Sequence, residues 1–477
     1  MRIFIVDTFY GPYLERLYAG GLAQQPWAEQ HKAHFAGGFG TGDAYSHGLG
    51  LLGVPAIEIV ANSPVLQQAW AREHQPELLQ LEQGAQQLFA ILEAQIRWWK
   101  PSVLYVQDIN WIPAAFLQHV KPLVEMVVGQ NACPLAPGLD LSPYDLLCTA
   151  VPHYVDRFRK TGVEAEYLPI GFDTRLLNRY QTNAKRNHCL TFVGGLGGYH
   201  RQGTEVLELI ARDLPLRAWG YGGERLPEVS YLRKCWRGEA WAEEMYMLLA
   251  QSRITLNRHI DIAQGYACNM RLYEATGMGA CLVTDNKANL SSLFQPDEEI
   301  VTFESPEEAI SKIKELIEKP ILAEEIAKKG QARTLKEHSY QNHMGKLLKI
   351  LHTHKSLCKS EGLLLRSSPK NAFVHVFAKA KCFSDAKKWA DIQRSKTSGF
   401  VDFAFLVDGK INSQGERVWM PISEDNGARL VKSFFDSTDA SGALAIFSQS
   451  LIPDNDIFHE IIKEAERLGF KIKHIAT

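Results

Sequence analysis

The sequence has little that suits a secreted or membrane-spanning protein. Its eight cysteines are scattered, and no pair has the CxxC spacing of a zinc or redox motif. We therefore expect free thiols in a reducing compartment and no metal site. No apolar run reaches the ~18 residues that a spanning helix needs. The apolar N-terminal run is short and ends at Asp7, unlike a signal peptide. These absences favour a cytoplasmic protein, although contact with a membrane surface stays open.

The chain also lacks a strong charge of either sign. Its formal net charge is −2, from 52 Lys and Arg against 54 Asp and Glu. Nothing global therefore indicates a nucleic-acid partner. A length of 477 residues predicts two or three domains.

Short apolar strands alternate with helical segments through the first 350 residues. Runs such as RIFIVD (2–7) and LTFVGG (190–195) are typical of buried parallel strands. We expect an α/β fold with two doubly wound, Rossmann-like domains, at residues 1–180 and 185–354, joined by the polar segment 174–188. Residues 355–477 would form a small additional α/β module, with three strand candidates and one helix candidate.

A glycine-rich turn follows the first predicted strand of the second domain. In CLTFVGGLGGYHRQGTEVLELIARDL (189–214), an apolar strand ends in glycines and a helix follows. His200 stands where a dinucleotide fingerprint needs its third glycine, and no Gly-Lys-Ser/Thr follows. A turn at Gly194 and Gly195, with Arg201 close by, still allows backbone N–H groups and a helix N-terminus to approach a phosphate. The alternative is a tightly packed strand–helix turn.

A second motif, GYACNMRLYEATGMGACLVTD (265–285), carries a polar cluster. Arg271 and Glu274 are three residues apart and share a helix face, and Asn269 lies near the helix start. Arginine can neutralise a diphosphate, and a carboxylate can accept both hydroxyls of a ribose. The cluster therefore suits a nucleotide sugar. An ordinary i,i+3 surface pair is the alternative.

Candidate catalytic groups come from the first domain. Asp43 and His47, in the glycine loop at residues 35–53, are four residues apart and suit a general base or a group that orients an acceptor. A helix-capping Asp and a hydrogen-bonded loop His are the alternatives. Asp108 follows a predicted strand and Gln130 follows the next, at the edge where doubly wound sheets bind ligands.

The order and spacing of these motifs resemble a known family. The motif at 269–285, the upstream turn and the segment YDLLCTAVPHYVDRFRKTGVEAEYLPIGFD (144–173) are similar to GT-B glycosyltransferases, in particular the CgeB-like (spore-maturation) group. HSYQNHMGKLL (338–348) resembles the terminal helix that crosses back to the first domain. The resemblance is good over about residues 100–350, loose before them and absent from the tail.

The resemblance implies a glycosyltransferase that moves a sugar from a nucleotide-sugar donor to an acceptor hydroxyl. The donor would bind the second domain, with Glu274 at the ribose, Asn269 and Arg271 near the phosphates, Gly194 and Gly195 at the close approach, and Arg201 reaching the diphosphate. The acceptor, a glycan, lipid-linked sugar or protein, would bind the first domain. We expect no cofactor beyond the donor and no metal, since neither domain has an Asp-x-Asp pair.

One position departs from the wider retaining group. That group has a glutamate eight residues before the ribose-binding one, and this chain has Tyr266 there. Two other functions therefore stay open: a nucleotide-sugar epimerase or hydrolase, and a non-catalytic protein that binds a glycan or nucleotide. The stretch 355–396, with ten Lys or Arg against three Asp or Glu, either steers an anionic acceptor or is a solvated face.

Overall fold

The computed structural model describes residues 1–180, 185–198, 200–259, 263 and 265–361, and four short strands beyond them. The chain divides into two compact units, Met1–Ile350 and Leu351–Thr477. Among the described residues, no helix is long and apolar enough to cross a membrane.

The first sheet has six parallel strands in the order β2-β1-β3-β4-β5-β6. They are β1 (Ile3–Asp7), β2 (Ala56–Val60), β3 (Val103–Val106), β4 (Met126–Asn131), β5 (Leu146–Thr149) and β6 (Ala165–Tyr167). The α-helices of this region are α1 (Gly11–Tyr18), α2 (Trp27–Ala36), α3 (Ala44–Leu51), α4 (Pro64–His74), α5 (Ala85–Trp99), α6 (Ala114–Val120), α7 (Pro152–Lys160) and α8 (Arg175–Tyr180). The inner strands are buried on both faces, as in other parallel sheets with helices on each side.

The second sheet has five parallel strands in the order β11-β10-β9-β7-β8. They are β7 (His188–Val193), β8 (Leu216–Trp219), β9 (Ser252–Asn257), β10 (Cys281–Asp285) and β11 (Val301–Phe303). The α-helices are α9 (Arg201–Asp213), α10 (Tyr231–Cys235), α11 (Glu243–Gln251), α12 (Arg271–Gly277), α13 (Leu290–Leu293), α14 (Pro306–Glu318), α15 (Pro320–Glu337) and α16 (Tyr340–Glu361). The two parallel sheets confirm the predicted fold class, two doubly wound α/β domains.

Local signals account for several element boundaries. Ser305 caps α14 by accepting a hydrogen bond from the Glu308 N–H at 3.2 Å, and Pro306 is its first residue. The polar-apolar pattern between residues 77 and 99 predicts one long helix, but the structure has two separate elements there. A 3₁₀ helix at Pro76–Gln80 precedes α5, and Gly84, with φ of 131°, separates the two. Only glycine adopts that conformation readily, so the helix cannot run through it.

Helix α16 contacts the first domain, as the resemblance implied. Just before it, Phe172 donates its N–H to the His338 carbonyl at 2.8 Å, and Tyr340 donates to the Phe172 carbonyl at 3.0 Å. The Tyr340 ring lies 5.4 Å from that of Tyr45 in α3. The start of α16 is therefore fastened both to the segment at Phe172 and to α3.

Beyond α16 the structure describes two antiparallel strand pairs. They are β12 (Val374–Phe377) with β15 (Leu444–Phe447), and β13 (Val401–Phe403) with β14 (Val418–Met420). Three of these strands fall within the predicted candidates, and β14 was not predicted. The helix predicted near residues 454–470 lies outside the described residues.

Glu58 gives the first domain a predicted pH dependence. It is 1% exposed in β2, and its carboxylate accepts a hydrogen bond from the Ser46 N–H at 2.6 Å. Burial raises its pKa from 4.5 to about 8; hydrogen bonds from Ser46 oppose the rise, and the nearby carboxylates of Asp43 and Asp7 add to it. Between these values the folded chain keeps a proton that the unfolded chain has released, so stability falls as pH rises through this window.

We therefore expect Glu58→Gln to flatten the fall in unfolding free energy between pH 5 and pH 9. The variant should be more stable than the wild type at pH 9, by on the order of 3 kcal/mol. Urea unfolding at several pH values measures this, with exposed Glu77→Gln as the control. Parallel pH curves for wild type and Glu58→Gln would contradict the interpretation.

Candidate active site

A cleft of about 400 Å³ lies between the carboxyl ends of the two sheets. The first domain contributes the loop after β1, the glycine loop at 38–41 and Gln107 after β3. The second contributes residues after β7, β8 and β9, the loop at 240–242 and the start of α12. Open parallel sheets bind ligands at this edge because the strands' carboxyl ends and the helix N-termini meet there.

Glu274 and Arg271 form a buried ion pair on the second-domain side. Arg271 Nη1 lies 2.8 Å from Glu274 Oε2, with the two side chains 15% and 7% exposed. The other carboxylate oxygen accepts the Tyr246 hydroxyl at 3.2 Å. Both residues line the cleft, so the pair is not the ordinary surface pair that the sequence left open.

The glycine turn is tied to this pair. Arg271 Nε donates to the Val193 carbonyl at 3.0 Å, at the end of β7, immediately before Gly194 and Gly195. A Cβ on Gly195 would lie 2.7 Å from the His200 ring, and one on Gly220 would overlap the Gly194 carbonyl. A side chain at position 195 or 220 would clash with these neighbours, so both positions require glycine. Gly194 and Gly195 both line the cleft.

Asn269 belongs to a polar group at the end of β9. Its side-chain N–H₂ donates to Asn257 Oδ1 at 2.7 Å and to the Arg258 carbonyl at 3.2 Å. These contacts hold the residue just before α12, where it lines the cleft with Arg258 and His259. The geometry brings together five of the predicted donor-site residues: Gly194, Gly195, Asn269, Arg271 and Glu274.

Sequence reasoning missed Arg258, His259 and Asp285. His259 Nδ1 lies 2.9 Å from Asp285 Oδ1, and Arg258 Nη1 lies 3.5 Å from Asp285 Oδ2. Burial raises the pKa of Asp285, but the hydrogen bond from His259 and the charges of Arg258 and Lys287 outweigh burial and hold that pKa well below its ordinary value. The Nε2 atom of His259 has no partner among the described residues. These residues therefore offer an anchored cation and a ring nitrogen to a ligand.

Two carboxylates of the first domain, those of Asp7 and Asp108, are joined through one residue. Thr8 joins them: its N–H donates to Asp7 Oδ1 and its hydroxyl to Asp108 Oδ2, each at 2.7 Å. Asp7 lines the cleft directly. Burial raises the pKa of Asp7 to about 7, the hydrogen bond from Thr8 opposes the rise, and the charge of Asp108 adds to it. Near neutral pH this carboxyl can take up or release a proton, as a general base must.

Four predicted site residues are outside the cleft lining: Asp43, His47, Asp108 and Arg201. Asp43 is held by Arg175, whose Nη1 and Nη2 donate to its two oxygens at 3.1 and 2.6 Å. His47 is exposed on α3, one helical turn after Asp43. Arg201 is 81% exposed and pairs with Glu205 at 3.2 Å. Asp43 and His47 share one helical turn, as their spacing predicts, but neither residue lines the cleft.

Two further residues have structural partners. Gln130 accepts hydrogen bonds from Tyr45 at 2.7 Å and Tyr105 at 2.5 Å inside the first domain. Tyr266, eight residues before Glu274, stacks against His153 of α7 with ring centroids 5.3 Å apart. An aromatic contact between the domains thus occupies the position where the wider retaining group has a glutamate.

Comparisons with known proteins support the architecture. Residues 201–349 match the model of a family described as glycosyl transferase-like. The matched region holds the Arg271–Glu274 pair and α12, and it begins six residues after Gly195 of the glycine turn. No curated protein matches the chain.

Several solved structures are similar to the chain over most of its length. A sucrose-phosphate synthase from Thermosynechococcus elongatus is 10% identical, with a TM-score of 0.47, and the match covers 74% of this chain and 98% of that one. A glycosyltransferase from Rickettsia africae is 10% identical, with a TM-score of 0.48 and the same two coverages. Anabaena HepE in complex with UDP-glucose is 12% identical, with a TM-score of 0.46 and coverages of 74% and 100%.

Proposed function

We propose that this chain is a GT-B glycosyltransferase of the CgeB-like type that uses a nucleotide-sugar donor. The observation that carries the proposal is the buried Arg271–Glu274 pair, tied to the glycine turn at Val193 and facing the Asp7 carboxyl across one cleft. The family match over residues 201–349 supports the same reaction class.

The donor binds the second domain in this proposal. Glu274 lines the cleft, and its two carboxylate oxygens, which also contact Arg271 and Tyr246, accept hydrogen bonds from the two ribose hydroxyls through their remaining lone pairs. The diphosphate lies against the glycine turn, where the missing side chains let an anion approach the backbone. Arg258 and Arg271 supply positive charge there. Arg201, which the sequence favoured for this role, is exposed and paired with Glu205.

The reaction is a displacement at the anomeric carbon of the donor sugar. The acceptor oxygen forms the new bond to that carbon, and the bond from the carbon to the phosphate oxygen breaks with its electron pair on the phosphate. Asp7 takes the acceptor proton, and the nucleoside diphosphate leaves. Fixed positive groups stabilise the charge that develops on the leaving phosphate. We propose that they do so without a metal.

The test is a screen of uridine-, guanosine-, thymidine-, adenosine- and cytidine-linked sugars. Thermal shift identifies the donor, since a ligand at ~100 times its dissociation constant stabilises the fold by about 2.7 kcal/mol. Release of the nucleoside diphosphate, with and without added glycans and with and without chelator, then measures turnover. Binding without release would favour the non-catalytic alternative, and a changed sugar on an intact nucleotide would favour an epimerase. Loss of all release in chelator would contradict metal independence.

A further inference from the structure

Aromatic side chains from both domains meet at the cleft. Tyr10 and Phe39 come from the first domain, and Tyr221 and Trp241 come from the second. Tyr221 and Trp241 are stacked, with ring centroids 5.8 Å apart and planes 3° from parallel. Tyr10 and Tyr221 are large exposed side chains, 56% and 38% exposed, so packing of the core does not account for this cluster.

Tyr10 is the most exposed member of the cluster. It is 56% exposed, yet its ring is held edge-to-face against Phe39 at 5.6 Å and against Trp241 at 5.7 Å. Phe39 is in turn stacked on Tyr13 at 4.1 Å. The ring is therefore fixed in orientation while much of its surface stays open to a ligand. A rigid aromatic ring provides contact area at little cost in conformational entropy.

Tyr10 lies close to the proposed general base. It follows Asp7 by three residues on the loop after β1, so the two Cα atoms are at most about 11 Å apart. A ligand whose ring covers Tyr10 can therefore place a hydroxyl at Asp7 if it is the size of a mono- or disaccharide. Glu274, the proposed ribose site, belongs to the opposite domain.

We propose that the acceptor is a saccharide and that one of its rings stacks on Tyr10 while a hydroxyl of the sugar reaches Asp7. The inference rests on the proposed transferase function and adds the class of acceptor. A pyranose ring has an apolar C–H face, which suits the Tyr10 ring, and a hydroxyl edge, which suits the polar groups around it. Those groups include Asp7, Thr41 and His200, all lining the same cleft.

The experiment compares wild type, Tyr10→Ala, Tyr10→Phe and Tyr231→Ala. Tyr231 is 48% exposed on α10 and lies outside the cleft lining, so it is a matched control. Each protein, saturated with the nucleotide found in the donor screen, is applied to a glycan array. The best-bound glycan then serves as acceptor in assays of nucleoside diphosphate release, with donor and acceptor KM measured separately.

We expect Tyr10→Ala to weaken array binding and raise the acceptor KM by about three- to tenfold, with the donor KM unchanged. Tyr10→Phe, which keeps the ring face, and Tyr231→Ala should behave like the wild type. Three results would overturn the proposal: no glycan bound by the wild type, an unchanged acceptor KM in Tyr10→Ala, or a raised donor KM instead. A Tyr10→Phe variant as impaired as Tyr10→Ala would also overturn it. If the wild type bound no nucleotide sugar at all, the proposed function would fail first, and the donor screen detects that separately.

Discussion

Replacing Glu274 by Gln is expected to remove the thermal stabilisation that the donor nucleotide gives the wild-type protein. The carboxylate accepts two ribose hydroxyls in the proposed complex, whereas an amide has one acceptor oxygen and turns an N–H₂ group toward the second hydroxyl. Each hydrogen bond to a charged group contributes about 1.5–3 kcal/mol. Loss of one such bond corresponds to a rise in the dissociation constant for the nucleotide of about 10- to 150-fold.

The measurement is isothermal titration of wild type and Glu274→Gln with the nucleotide identified in the screen. The substitution also breaks the 2.8 Å ion pair with Arg271, so unfolding free energies are measured alongside, and titrations are made well below both melting temperatures. Glu93→Gln is the control: Glu93 pairs with Arg97 at 2.7 Å on α5, away from the cleft. Equal affinities in wild type and Glu274→Gln would mean that the nucleotide does not use this carboxylate, and the donor site would have to be sought elsewhere.

Local sequence predicts the candidate site residues that lie together in one short segment of the chain. Arg271 and Glu274 are three residues apart on α12, and Asn269 lies just before it, so helical spacing alone brings them together. Gly194 and Gly195 follow directly from the end of β7. The same periodicity predicted the two parallel sheets, because strands buried on both faces are nearly continuous apolar runs.

Local sequence does not predict the site contacts between residues that are far apart in the chain. These residues meet because the strands that carry them are neighbours in a sheet. Asp7 and Asp108 both contact Thr8, although 101 positions separate them, because β1 and β3 are neighbours in the first sheet. His259 and Asp285 meet because β9 and β10 are neighbours in the second. The signal that indicated Asp108, a polar residue at the end of a buried strand, also applies to Asp7 and Asp285.

Asp43 illustrates the opposite error. Its spacing from His47 was correctly interpreted as helical, but its carboxylate is held by Arg175, which is 132 residues away and also binds Asp173 at 2.7 Å. Arg175 therefore determines the role of Asp43, which is to fasten the glycine loop to the segment at Asp173–Arg175. Local spacing carries no information about such a partner.

Asp7→Asn is expected to lower the rate of glycosyl transfer by about 10²–10⁴-fold while leaving nucleotide binding intact. An asparagine cannot accept the acceptor proton, but it keeps the shape of the side chain and can still accept the hydrogen bond from the Thr8 N–H. Because the proposed donor contacts lie on the second domain, the dissociation constant for the nucleotide should stay within a factor of about two. Exposed Asp140→Asn, outside the cleft, is the control.

The pH dependence makes this prediction specific to Asp7. A general base works only when ionised, so wild-type kcat/KM should rise with pH and level off above about pH 7, since the pKa of Asp7 is raised to about 7. The charge of Asp108 contributes to that rise. Asp108→Asn should therefore lower the pKa of Asp7 and move the rising limb to lower pH, while activity at pH 8 is largely kept. Another group would have to be the base if the rising limb of the pH profile stayed in place in Asp108→Asn, or if Asp7→Asn retained full activity. If both results came out as expected, Asp7, with Asp108 raising its pKa, would be the proton acceptor of the reaction.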